Sequence, residues 1–271
     1  MKISRILLYL VLILLGLLVA IPIISTFLIS FKTIEEIYQS YWAFPRGLYF
    51  GNYFEAWELM ASPLANSFII TIPATLLSVF LGTLGAYGLS KFKFRLKPVY
   101  YYIMVSATLI PAHTILAPIF QLWNSLNLIN SYLGLILIEA IFSTAYAVII
   151  LRSFFERIPE ELLDAARVEG CSDLSLYWRM IIPLSVPALI SAFVIEFVYI
   201  WNDFLWPLIL APQTSIQPMT VAILQMTGTH AVAWNLRAAA AIMASLPPLV
   251  IFILMQKYFV KGILGGAVIK R

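Results

Sequence analysis

Three carboxyls sit where the surrounding sequence offers little water. Glu139 and Glu196 lie inside apolar runs, and Asp203 lies near the end of one. An acid placed in hydrocarbon is costly and marks a transport pathway or a buried partner. Glu196 follows Pro187 by nine residues, which at helical rise is on the order of 14 Å, near mid-membrane. It could line a polar cavity or accept from a substrate hydroxyl. It could equally hydrogen-bond in a packing role, the reading preferred for Glu139. Other residue types exclude chemistry rather than suggest it. His113 and His230 are far apart and have no ligand-spaced cysteine or acid beside them, so no metal site is expected. The single cysteine, Cys171, forms neither an internal disulfide nor a multi-cysteine metal site, and reads as a small residue in a tight loop. No glycine is followed by lysine, so no Walker A loop is present to cradle phosphates. No Ser/His/Asp or Cys/His set offers a nucleophile. A catalytic role and a cofactor held by this chain are therefore not expected.

The elements that must position the acids are membrane helices. Of 271 residues, 62% are hydrophobic and only 11% charged, with a mean hydropathy of +0.94. That composition decides against soluble domains and for a polytopic membrane protein. The net charge of +4 is no nucleic-acid signal, because the basic residues fall between apolar runs. Six spans are predicted: Ile6–Ile29, Leu64–Leu89, Pro98–Phe120, Tyr132–Leu151, Pro187–Leu210 and Ala238–Met255. Each is long enough, or nearly so, to cross roughly 30 Å of hydrocarbon. The first follows Lys2 and Arg5, is too long for a signal peptide and lacks a convincing cleavage site, so it reads as a retained anchor. Gly82, Gly85, Ala86 and Gly88 recur at helical spacing and predict close helix packing. Pro73, Pro111, Pro118 and Pro207 predict kinks.

Between the fourth and fifth spans lies a polar interruption, Arg157–Pro187. Pro159 suits a first helical turn, and Glu160, Glu161 and Asp164 follow near the positive end of the macrodipole. Gly170 is a natural stop, and Ser172 can cap a second short helix carrying Leu174, Tyr177 and Trp178. Pro183 and Pro187 are expected to close the segment. The small Ala165 and Ala166 allow another backbone to come close. All but three of the 17 basic residues fall on the side of this segment, the exceptions being Lys32, Arg46 and Arg237. The basic side is cytoplasmic by the positive-inside rule, so both termini and the segment are expected there. The outer side then holds Phe31–Pro63, a turn near Gln121–Ser131, and Ala211–Arg237. Tyr38, Tyr41, Trp42, Tyr49, Tyr53 and Trp57 on the first outer loop read as interface aromatics, with carbohydrate stacking as the sharper alternative.

Asp164-Ala165-Ala166, three residues, Gly170, then twelve residues to Pro183 resembles the EAA loop of ABC-importer permeases. Asp164 stands for the usual glutamate, Met180 for isoleucine and Ile182 for leucine; the carboxylate and the apolar bulk are kept. The segment Tyr199-Ile200-Trp201-Asn202-Asp203-Phe204-Leu205-Trp206-Pro207-Leu208 resembles the carbohydrate-importer branch, as does the tail from Tyr258 to Lys270. The resemblance extends from about Leu64 to Arg271 and points to the maltose-permease-like, binding-protein-dependent type I group. It implies an all-α polytopic membrane protein with six transmembrane helices and a cytoplasmic coupling helix. The expected domains are an anchor helix and first outer loop at 1–63, a permease core at 64–256 containing the coupling loop 157–187, and a cytoplasmic tail at 257–271.

Function is likewise what the resemblance implies. The chain would be a permease subunit of an ATP-driven importer in a prokaryotic inner membrane, moving a sugar or sugar derivative inward by alternating access. ATP and Mg would be bound by a partner ATPase dimer. The further partners would be a second homologous permease and an extracytoplasmic sugar-binding protein. Glu161, Asp164, Ala165, Ala166, Gly170 and Pro183 would couple to the ATPase. Glu196, Asn202 and Asp203 would line the pathway, and Gly262, Gly265 and Gly266 of the tail would lie against the ATPases. A permease for a non-sugar solute such as polyamine, thiamine or phosphate is the nearest alternative. A proton-coupled secondary transporter, with Glu139 and Glu196 as relays, is the more distant one.

Overall fold

A computed structural model describes the backbone of residues 2–226 and 233–265, and side chains within those ranges from 7 to 257. Among the described residues thirteen α-helices follow one another, and no strand occurs. In order they are α1 (Lys2–Ile29), α2 (Ile34–Gln39), α3 (Gly51–Lys91), α4 (Lys97–Leu109), α5 (Leu116–Ser125), α6 (Tyr132–Phe155) and α7 (Glu160–Val168). Then come α8 (Asp173–Leu176), α9 (Ile182–Leu184), α10 (Val186–Trp201), α11 (Leu205–Leu210), α12 (Met219–Gln225) and α13 (Trp234–Gly265). Among the described residues four helices are long and apolar enough to span a membrane alone. With each of two bent pairs taken as one span the number is six, the count expected from the sequence.

The bent pairs differ from the expected straight spans. The third span breaks at Ile110–Pro111 and turns by 95° into a helical stretch ending at Ser125. Pro111 is the kink foreseen; Pro118 and Pro207 instead sit in the first turns of α5 and α11, where no intrahelical N–H is missed. Pro73 lies inside the unbroken α3. The expected fifth span, Pro187–Leu210, is interrupted at Asn202–Phe204, between α10 and α11. The polar segment ends between Pro183 and Pro187, each at the start of a short or long helix. A π-helical turn at Tyr177–Ile181 leads into α9, and a 75° bend at Ser185 joins this stretch to α10. The π turn immediately precedes Pro183, whose ring would strike the Arg179 carbonyl in a regular helix. Helix α3 begins at Gly51, so the first connecting segment is shorter than the predicted Phe31–Pro63.

Two compact units are present: residues 1–64 with 219–247, and residues 65–218 with 248–271. In the first, α1 is almost wholly exposed along its apolar length, as a lipid-facing helix is. Its far end is pinned by polar bonds. Lys32, 1% exposed, donates to the Ser40 and Tyr41 carbonyls at 3.1 and 2.8 Å. Asn52 donates to the Ser30 and Lys32 carbonyls and accepts from Asn235.

The second unit packs around α6 and α10. Gly82 and Gly85 of α3 face Ala147 and Val148 of α6 so closely that a Cβ would lie 2.5 Å from the Ala147 Cβ and 2.8 Å from Val148 Cγ2. The small-residue spacing thus packs helices, as expected. One apolar cluster holds the basic end of the bundle: Ala86, Tyr87, Leu151, Phe155, Leu163, Leu176, Tyr177, Ile181, Ala188 and Ala192. A second, at the opposite end, includes Ile70, Trp123, Leu135, Ile138, Trp206 and Leu210.

Candidate coupling segment and pathway residues

The polar segment forms two short helices held at a fixed angle. Helix α7 follows Pro159 and carries Glu160 and Glu161 in its first turn. It ends at Gly170, whose φ of +87° is a left-handed conformation that glycine adopts without strain. The Cys171 N–H reaches the Ala166 carbonyl at 3.0 Å and the Gly170 N–H reaches that of Arg167 at 2.9 Å, the paired bonds of a Schellman cap. A Cβ on Gly170 would meet open space, so the backbone angle alone requires glycine. Ser172 then caps α8 by accepting from the Ser175 N–H.

Arg167 crosses the turn. Its guanidinium bonds Asp164 at 2.9 Å and Asp173 at 3.2 Å, linking α7 to α8. Hydrogen bonding to Asp164, and then to Asp173, raises its pKa above the usual arginine range. Both pairs are exposed, so each contributes at most about 1 kcal/mol. The Asp164–Arg167 spacing is visible in the sequence; the reach to Asp173 across the glycine is not.

One side of the segment is rooted in the bundle. Leu163, Leu176, Tyr177 and Ile181 are buried in the basic-end cluster, and Ala166 packs against it. The Tyr177 hydroxyl meets Thr83 Oγ1 at 2.5 Å, Tyr87 donates to the Asp173 carbonyl at 3.0 Å, and Lys91 Nζ donates to the Ile158 carbonyl at 2.6 Å. These ties to α3 have no local sequence signal, since the partners are about 70 to 90 positions apart. The other side is open. Leu162, Val168, Leu174 and Trp178 are exposed, Val168 to 89%. Glu161, Asp164, Ala165, Gly170 and Pro183 are exposed as well. The two expected close-approach residues therefore divide: Ala166 faces the bundle and Ala165 faces outward.

The pathway candidates lie elsewhere in the same unit. Glu196 is 1% exposed, enclosed by its own chain. Neither of its carboxyl oxygens has a hydrogen-bond partner of regular geometry, nor do the buried hydroxyls of Thr75, Ser78 and Ser143. Ser143 is the polar neighbour of Glu196, and the register that sets Gly82 on Ala147 puts Ser78 level with Ser143. Asn202 is exposed and donates to the Val198 carbonyl at 2.7 Å. Asp203 accepts from the Trp206 N–H at 3.0 Å and hydrogen-bonds to Glu139. Glu139, for which packing is the preferred reading of the sequence, thus joins the break that carries Asn202. Gly262 and Gly265 lie in the last turns of α13. Gly266, with the rest of the tail, and His230 lie outside the described residues. No cluster of metal-ligating side chains occurs among the described residues.

A bundle of this kind, with a polar segment rooted at one end and an apolar face turned outward, is that of a multi-span helical membrane protein. Sequence comparison gives the family. The profile described as binding-protein-dependent transport system inner membrane component matches residues 74–265. The chain belongs to this family of inner-membrane transport permeases. It is 31% identical over 268 residues to the glucose import system permease protein GlcU of Saccharolobus solfataricus, covering 95% of this chain and 93% of that one. It is 33% identical over 205 residues to the sn-glycerol-3-phosphate transport system permease protein UgpE of Yersinia pestis, covering 75% and 72%. Its fold matches a chain of a bacterial ABC transporter that imports the acidic polysaccharide alginate, with a TM-score of 0.82 at 24% identity over 95% and 97% of the two chains.

Proposed function

We propose that this permease carries a sugar or sugar derivative into the cell as one of two homologous membrane subunits, driven by a separate ATPase dimer. The observation that carries the reading is the two-sided segment at Gly170. Its inner side is fixed to α3, α6 and α10; its outer side presents Val168, Leu162, Leu174 and Trp178 to a partner. A rigid lever of this form transmits a push without bending. ATP and Mg bind the ATPase, and closure of that dimer moves the segment. The bend at Ser185 passes the movement to α10, and the substrate path opens toward the extracytoplasmic binding protein. Hydrolysis resets the cycle. This chain contributes leverage and half of the path, not hydrolysis. Relatives named for glucose and for sn-glycerol-3-phosphate support a small hydroxyl-rich solute. The distribution of basic residues supports cytoplasmic termini and a cytoplasmic segment.

One substitution tests orientation and docking together. In a Cys171→Ser background, Val168→Cys should resist an impermeant maleimide in intact cells. It should react in inverted vesicles stripped of ATPase, and be protected when the ATPase is restored. Reaction from outside in intact cells would invert the topology and remove the coupling role.

A further inference from the structure

The break between α10 and α11 is built from two carboxyls, and their bond has a chemical requirement. Helix α10 ends at Trp201, with the Asn202 N–H bonded to the Val198 carbonyl and the Asp203 N–H to that of Ile200. Helix α11 starts at Leu205, and its first amides need acceptors that no preceding turn supplies. The Asp203 carboxylate accepts from the Trp206 amide at 3.0 Å and lies beside the amides of Phe204 and Leu205. It also hydrogen-bonds to the carboxyl of Glu139 on α6, which is 2% exposed.

Two ionised carboxyls have acceptors only, so a bond between them needs one proton. Backbone N–H donation to Asp203 favours its ionised form, which makes Glu139 the donor. Three residues further along α6, Phe142 stacks on Trp206 with ring centroids 5.1 Å apart. Residues 139 and 142 of α6 thus grip residues 203 and 206 at the same helical spacing. The exposed side of this junction carries Tyr199 and Asn202. The titratable groups that face Tyr199 are this pair, Tyr146 on α6 and Glu196 on α10.

We propose that Glu139 is a positioning residue in its acid form: by donating a hydrogen bond to Asp203 it fixes the helix break, and through it the placement of Tyr199 and Asn202 on the substrate path. The proposal rests on the permease reading for the word path. The bond itself is tested without any transport assay.

Glu139→Gln keeps a donor and removes the proton. Glu139→Leu keeps the approximate volume and removes the donor. Each is combined with Asn202→Cys in a Cys171→Ser background, and labelling at position 202 by a maleimide is timed in membranes. The purified full-length importer in lipid nanodiscs is compared by infrared spectroscopy in H2O and D2O. Labelling in Glu139→Gln should match the parent within about twofold, while Glu139→Leu should change it about tenfold or more, the effect of stranding a buried acceptor. The parent should show a protonated-carboxyl C=O band, shifted in D2O, that loses intensity in Glu139→Gln. If Gln and Leu alter labelling equally, Glu139 acts as an anion, and the proposal is overturned. If Leu leaves labelling unchanged, the side chain only fills space, and the proposal is overturned in that case too. An unchanged infrared band, or a Glu139→Gln chain that fails to assemble, also overturns it, because Gln supplies the required donor.

Discussion

The turn at Gly170 and the break at Asp203 solve the same problem in opposite surroundings. Each joins two helices at an angle, and each must satisfy the backbone groups that helix ends leave over. At Gly170 the work is done by a left-handed glycine, a paired set of backbone bonds and exposed ion pairs through Arg167. Water is near, so no single contact carries much energy. At Asp203 the acceptor is a mostly buried carboxylate with a second, fully buried carboxyl against it. Water is scarce there, and every bond lost leaves a stranded polar group. The first junction is therefore tolerant and suited to receive a push. The second is brittle and suited to hold a shape.

The largest effect should come from removing the brittle junction. Asp203→Ala strands the Glu139 donor and the first amides of α11 together. At about 1–3 kcal/mol for each buried polar group left unmet, the loss should be on the order of 3–5 kcal/mol. Thermal unfolding of the purified importer, followed by aggregation, should show the lowest midpoint of the variants considered. A midpoint within error of the parent would mean that the break is held by the Phe142–Trp206 stack and not by the carboxyls.

An intermediate effect is expected at the glycine. Gly170→Val forces a β-branched residue to φ near +87°, which costs roughly 1–2 kcal/mol locally. The spans should still insert, since their own apolarity sets them. Uptake should fall, and ATPase co-purification with it. Gly170→Asn is the sharper comparison. Asn127 and Asn130 already hold φ of 55° and 54° in this chain, and asparagine is the next best residue at such a cap. It should restore coupling to near the parent level. If Val and Asn behaved alike, the side chain would be striking the ATPase, and the backbone angle would be secondary.

The two junctions also differ in how far the sequence reveals them. Gly170 is flanked by signals: Pro159 and the acids at one end, Ser172 at the other, and a polar stretch that no membrane span would carry. Each is local, so the turn, the cap and the second helix can be placed from spacing alone. The break at Asn202–Phe204 is hidden because Trp201 and Leu205–Leu210 continue the apolar run on both sides. Hydropathy reads that as one span. Asp203 stands out as an acid, but its partner Glu139 is 64 positions earlier, and no local rule pairs them. The same limit applies to Tyr177 with Thr83 and to Lys91 with Ile158. Hydropathy also finds α1 and α6 equally well, although α1 faces outward along its length while α6 buries one face from Gly134 to Phe155. Apolarity marks what enters the membrane; small residues such as Gly82 and Gly85 mark what packs once there.

The smallest effect should be at Arg167. Its two ion pairs look like the strongest visible link between α7 and α8, yet Asp164 and Asp173 are exposed and water competes for all three groups. Arg167→Gln removes the charge and shortens the side chain by two bonds, so both ion pairs are lost. Stability should fall by no more than about 1 kcal/mol, the ordinary limit for an exposed pair. Because the guanidinium pKa is raised, varying pH should not imitate the substitution by discharging arginine. Added salt should imitate it in part, because exposed pairs are screened. The angle between the two helices would still be set by the Schellman bonds at Gly170 and by Leu163, Leu176 and Tyr177 in the apolar cluster. ATPase attachment should accordingly stay within about twofold of the parent, about 0.4 kcal/mol. A loss as large as that of Gly170→Val would show that Arg167 itself reaches the partner, with the two aspartates serving to aim it.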